Sequence, residues 1–368
     1  MRKRIRRLYD SLVIAFLSKS DSRLDGEWGI EDNEEFSRFR DFLDGQVLYR
    51  AETFRIAPSS REHKWVGAQF YDGAVLAAPN DEVRVLKFTW EDSYFGSVRE
   101  GLFKWTGGCI WDGLVYFFPR AADSFLRIKD DRVEEVPLSI KYGMEHHYSG
   151  VCTEDGVVYQ PPRDTNHILK TDLRTGESSR IDIVDKKYRV DFRYCGSIIH
   201  PNGFIYFFPE VDNRVIKLDP VTDKWCFIGN KISTMCFDAK IGLDGNIYGY
   251  SAYRRGIMKI KVPDDVVEMV HEEISPGAYG TKYGADGCLY SVPGDGSMVY
   301  RFEVLRDRIE PFFDLENGMK AKYAGGLTAP DGTIVCIPAE ENAVLLFVPE
   351  KKVSIPETLY SFFFVDNY

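Results

Sequence analysis

From about residue 46 to residue 350, short runs of β-branched and aromatic residues alternate with turn dipeptides. Such runs, bounded by turns, predict strands rather than helices. The turns recur as Asp72-Gly73, Asp112-Gly113, Asp155-Gly156, Asn202-Gly203, Asp244-Gly245, Asp286-Gly287 and Asp331-Gly332, at spacings of 40, 43, 47, 42, 42 and 45 residues. Asp-Gly and Asn-Gly are preferred hairpin turns because the tight turn needs positive φ. Three residues after the Asp or Asn stands Val75, Val115, Val158, Ile205, Ile247, Leu289 or Ile334. One residue further stands a Tyr in five of the seven repeats. Seven residues after it comes Pro in every repeat but the fifth, which has Ser251. Fifteen residues after it comes a Lys or Arg in every repeat but the last, which has Leu346.

The residues before the turn repeat as well. An aromatic residue (Trp65, Trp105, Tyr148, Tyr194, Phe237, Tyr279 or Tyr323) precedes it by seven or eight positions. Two residues after the aromatic, five repeats carry Gly67, Gly107, Gly150, Gly196 or Gly325. A small residue there lets an inner strand crowd its neighbours near an axis. Four antiparallel strands every 40–47 residues make a propeller blade, and seven copies predict an all-β, seven-bladed β-propeller.

The ring must close. Residues 46–56 (QVLYRAETFRI) have no inner strands of their own and are expected to be the outer strand of the last blade, with Val353–Ile355 competing for that place. The chain thus divides into a short N-terminal helical arm over residues 1–45 and a propeller over residues 46–368, ending in the apolar tail Leu359–Val365. Asp32–Leu43 predicts a short helix, with Asp32 or Asn33 as cap and Phe36, Phe39, Phe42 and Leu43 on one face.

The consensus, basic-[WYF]-x-G, then DG-x-[VI]-Y-x-x-P, then V-[LI]-K-x-D, is written here as KWTGGCIWDGLVYFFP and NGFIYFFPEVDNRVIKLDP. It resembles a propeller repeat of proteins from unicellular eukaryotes and algae. More distantly it looks like NHL, Kelch, WD40-like and streptogramin-lyase propellers. The resemblance spans about residues 46–350 and implies the fold. It implies no activity, and no lyase-type His–Glu arrangement can be placed residue by residue.

Composition agrees with a large folded body. The chain has 368 residues, 44% hydrophobic and 14% aromatic, with 47 Lys and Arg against 57 Asp and Glu. A net charge of -10 argues against general nucleic-acid binding, where phosphate contacts dominate. Seven Cys without a CxxC pair read as reduced core residues of an intracellular, cytoplasmic protein. The sign of the charge changes locally: residues 1–20 carry Arg2, Lys3, Arg4, Arg6, Arg7 and Lys19 against Asp10 alone. That segment suits a helix docked on a partner or on the body, a mitochondrial presequence, or a membrane-surface helix; no other membrane contact is expected.

The chemistry-bearing motifs of nucleotide, zinc and hydrolase sites do not occur. The neighbours His146 and His147 would point to opposite faces of a strand, so no metal or other cofactor is expected. One constellation remains. Lys64, Lys104, His147, Arg193 and Lys322 each precede the repeat aromatic and are expected to ring one mouth of the central channel. The Pro loops, with Arg120 and Arg163, end at that same face. These seven residues would bind an anionic small ligand or an acidic peptide of a protein partner. The weightier alternative is structural: loop acids neutralise the basic residues, or they cap carbonyls. Trp65 and Trp105 could stack on a ligand, but blade core is the commoner role.

The leading expectation is a non-enzymatic interaction module or scaffold, a subunit of a larger assembly held through the propeller face or the arm. The alternative is a small-molecule binder, or a lyase- or lactonase-type enzyme, working at the channel mouth.

Overall fold

A computed structural model describes residues 47–140, 147–183, 194–211, 213–316, 318 and 320–350. Seven four-stranded antiparallel sheets follow one another around a ring, each ordered from an inner strand outward. The first blade is Trp65–Tyr71, Ala74–Pro79, Val85–Phe88 and Asp92–Phe95. The seventh takes three strands from the chain end, Tyr323–Thr328, Ile334–Pro338 and Ala343–Pro349. Its fourth is Tyr49–Arg55 from the chain start, in register from Tyr49 opposite Pro349 to Arg55 opposite Ala343. The ring is thereby closed by strand pairing between the two ends of the described chain. The expected helix at Asp32–Leu43, the rest of the arm, Val353–Ile355 and the apolar tail lie outside the described residues. Among the described residues, no helix is long and apolar enough to cross a membrane.

Each recurrent residue has a physical task. Pro ends the second strand in blades one, two, four, six and seven, where a missing N–H does no harm. In blades one, three and four the basic residue of the third strand reaches into the next blade, Lys87 to Asp131, Lys170 to Asp223 and Lys217 to Asp265, each at 2.6–2.9 Å, whereas Arg127 and Arg301 bond Glu134 and Asp286 of their own blades. In blades five and six the turn acid and the Tyr four residues on bond each other: Tyr248 Oη donates to Asp244 at 2.7 Å, and Tyr290 Oη to Asp286 at 2.9 Å.

The turns correct the sequence in one respect. In the first two blades both turn residues have positive φ, 48° and 74° at Asp72-Gly73 and 49° and 69° at Asp112-Gly113. In the other five only the Gly does. There the turn starts and closes one residue earlier, as in Gly245 N–H to Gly242 O at 2.9 Å, and the Gly forms a bulge. The acid serves instead as an acceptor, for example Asp286 Oδ1 for the Cys288 N–H at 3.1 Å.

The tryptophans are core. Trp65 and Trp105 are 1% and 0% exposed and donate from Nε1 to Arg84 O and Ser124 O. Six of the seven cysteines are buried free thiols; Cys226 is exposed.

Candidate functional site

Inner strands start, and Pro loops end, at one face of the ring, so loop side chains there surround the channel mouth. The basic residues expected as a ring are beneath that surface. Lys64, Lys104, His147 and Lys322 are 0–3% exposed. Lys64 Nζ donates to Glu340 O at 2.8 Å, Lys104 Nζ to Gly101 O at 2.9 Å and Lys322 Nζ to Asp295 O at 3.4 Å. His147 Nδ1 lies 3.2 Å from Pro161 O. These four hold loop carbonyls, the structural alternative that the sequence left open. Arg193 lies outside the described residues, as do His146 and Asp212.

Burial has an electrostatic consequence. It lowers the Lys64 and Lys322 pKa values and pulls Lys104 down to about 8 from the ordinary 10.5, against the attraction of Asp81. Between pH 8 and 10.5 the unfolded chain therefore carries a proton on Lys104 that the folded chain lacks, so Lys104 makes stability rise with pH through that window. The buried thiols, held above 9.0 by burial, act in the opposite sense. Comparison with Lys104→Met cancels the thiols. We expect wild type to gain up to about 3 kcal/mol on the variant between pH 7 and 10, read by urea unfolding. Parallel pH profiles would refute this charge balance.

Arg120 and Arg163 differ from the lysines: both are partly exposed at the mouth. The Arg120 guanidinium carbon is 4.3 Å from the Phe103 ring centre and 4.6 Å from that of Tyr148. The Arg163 guanidinium lies 5.0 Å from the same Tyr148 ring. Its Nε is 3.3 Å from Glu210 Oε2, and the Glu210 side chain is 4% exposed. Burial is the largest influence and works against the Arg163 charge, but Glu210, Tyr148, Cys195 and Asp164 together outweigh it and the pKa stays raised. Asp81 and Glu210 also attract the Arg120 charge, but together with Tyr148 they do not make up for burial. Burial, with Arg163 nearby, lowers its pKa, and among the described residues no carboxylate pairs with it. Asp81 accepts the Phe103 N–H at 2.6 Å and is shared among His63, Lys104 and Arg120.

Behind the mouth, the channel holds a pocket of about 40 Å³ that opens to solvent. Tyr148, Phe237 and Tyr279 line one side, with ring centres 5.5 and 4.8 Å apart. Backbone of Gly67, Gly107 and Gly325 contributes elsewhere in the lining. Asp238 borders it too, with its charge met: Lys282 Nζ donates at 2.6 Å, and the Thr281 N–H bonds the other oxygen.

Asp238, Lys240 and Lys282 form a buried charged group that sequence reasoning missed. Burial lowers the pKa of both lysines, and each lysine's own surroundings add Asp238 as the opposing attraction. A signal was present: four residues before the turn acid, where these two blades have Lys240 and Lys282, the other five have Ala68, Gly108, Val151, Ile198 and Leu327. Among the described residues, no three His, Cys, Asp or Glu side chains gather to hold a metal ion.

No protein-family model and no curated protein sequence matches the chain. Solved structures do. A streptogramin B lyase superposes with a TM-score of 0.67 at 12% identity, covering 82% of this chain and 98% of its own. The virginiamycin B lyase of Staphylococcus aureus gives the same score and identity, covering 82% and 99%. YCF48 bound to D1 peptide gives 0.61 at 11% identity, covering 82% and 97%. At such identities the likeness shows the β-propeller fold alone.

Proposed function

We propose that this chain is a non-enzymatic binding module whose channel mouth takes an acidic segment of a protein partner. Arg120 carries the proposal. Its planar guanidinium is held between two rings and shed of much of its water, yet no carboxylate among the described residues meets its donors. A desolvated cation without a partner is costly, and an incoming carboxylate recovers that cost through charge-assisted hydrogen bonds. Arg163, 3.3 Å from Glu210 through its Nε, adds a second cation across the Tyr148 ring. The groups gathered here are suited to holding an anion rather than moving a proton, since arginine stays charged. A peptide held on a propeller has precedent in YCF48 bound to D1 peptide, which supports a peptide as the ligand type. Kinship with the propeller repeat of unicellular eukaryotes belongs to the same proposal and rests on the turn, Tyr and Pro spacing.

The test is calorimetric titration with a library of acidic pentapeptides and their Gln counterparts. Each hydrogen bond to a charged group contributes about 1.5–3 kcal/mol. Arg120→Gln should therefore weaken the best acidic ligand about ten- to a hundredfold, while Lys87→Gln, far out on a blade, leaves it unchanged. Equal affinity for the acidic and Gln series would overturn the proposal.

A further inference from the structure

The anion site and the channel cavity meet at one side chain. Tyr148 carries both guanidiniums over its ring and also lines the cavity. Past Tyr148 the lining is mostly apolar side chains, Val66, Phe237 and Ala324 among them, and glycine backbone, with Thr106 and Ser149 as the small polar members. Its single carboxylate, Asp238, is already engaged by Lys282 and the Thr281 N–H. The cavity therefore suits an uncharged, apolar group, with the negative charge left outside on the arginines.

The charge count at the mouth narrows the anion. Arg120 and Arg163 already feel Glu210, Asp81 and Asp164, so no surplus of two positive charges stands ready for a dianion. That matches a carboxylate better than a phosphate dianion. Spacing narrows it further. In an extended segment, neighbouring side chains point to opposite faces, so an internal acid and the apolar residue beside it do not enter together. A terminal residue carries carboxylate and side chain on one Cα.

Building on the acidic-segment reading above, we propose that the ligand is the C-terminal end of a partner chain. Its free α-carboxylate lies on Arg120 and Arg163, and its apolar last side chain enters the channel past Tyr148.

Calorimetry on the full chain tests this with five probes. They are Ac-Gly-Ser-Gly-Phe with a free carboxylate, the same peptide amidated, the same peptide ending in Gly, the internal-acid peptide Ac-Gly-Glu-Phe-Glu-Gly-NH2, and N-acetylphenylalanine. The free Phe end should bind at least tenfold tighter than any other. Arg120→Gln should abolish its preference over the amide. Ala324→Phe, which fills the cavity, should abolish its preference over the Gly end. The wild-type probe series decides the matter even if the filled variant folds poorly. An amide that binds as well as the acid overturns the terminal carboxylate. An internal-acid peptide that binds as well overturns the chain end and leaves the acidic-segment proposal standing. N-acetylphenylalanine binding as tightly as the peptide also overturns the chain end, because the ligand is then a small free acid. Failure of every acidic probe, together with the pentapeptide library, overturns both proposals.

Discussion

Lys282→Met should lower the unfolding free energy by about 3–5 kcal/mol, the cost of leaving a buried charge without its partner. Lys282 is 0% exposed and Asp238 2%, and their side chains meet at 2.6 Å. Removing the ammonium leaves a carboxylate only 2% exposed without its cation. Lys240 moderates the loss, because its own charge is disfavoured by burial and by Lys282 and favoured by Asp238. With Lys282 gone, the repulsion between the two lysines goes too and Lys240 offsets part of the unpaired carboxylate, which places the result nearer 3 than 5 kcal/mol. Joint replacement, Asp238→Asn with Lys282→Met, should recover most of the loss, since removing a whole buried pair is often near neutral. Urea unfolding of the three variants at pH 7 measures this. A loss below about 1 kcal/mol in Lys282→Met would mean that the pair is solvated and the inner ends of blades five and six are looser than described.

Gly67→Ala should destabilise by about 2–6 kcal/mol, and Gly73→Ala by much less. Both glycines have the left-handed φ that side chains resist, +73° and +74°. Around Gly73 an added Cβ meets nothing within 4 Å, so the cost is conformational alone, about 1–3 kcal/mol. At Gly67 the Cβ would lie 2.7 Å from Gly107 Cα and 2.8 Å from Gly107 N. Backbone of the neighbouring inner strand cannot swing aside as a side chain can, so overpacking adds about 1–3 kcal/mol. Thermal unfolding of the two variants side by side isolates the crowding at the axis. Equal losses would show that the inner strands have room to move apart.

That crowding was legible before any coordinates. Gly67, Gly107 and Gly325 stand at one repeat position, and small residues there imply inner strands pressed together. The blades were legible for a related reason: each is a local hairpin stack, so turn, Tyr and Pro spacing records it directly. The turn type was less so. Asp155 and Asp244 share a dipeptide with Asp72, but whether the acid bends the backbone or accepts its hydrogen bonds depends on where the neighbouring strands end.

The mouth divides in the same way. Arg120 and Arg163 follow Pro119 and Pro162, and loops project outward, so their place could be read. Lys64, Lys104 and Lys322 open inner strands, and position in a strand does not say whether an amine turns to solvent or to a loop carbonyl. Asp238, Lys240 and Lys282 escaped because features shared by all blades draw attention away from the two blades that break the rule.

The most direct test of the mouth as an anion site is the arginine side-chain Nε–Hε spectrum of the full chain, recorded as an acidic pentapeptide is added. Arg120→Gln and Arg163→Gln assign the two signals. The account predicts that these two shift together and saturate with the calorimetric affinity, while the arginines of the outer strands stay in place. A peptide that binds at that affinity and leaves both signals unmoved would contradict it.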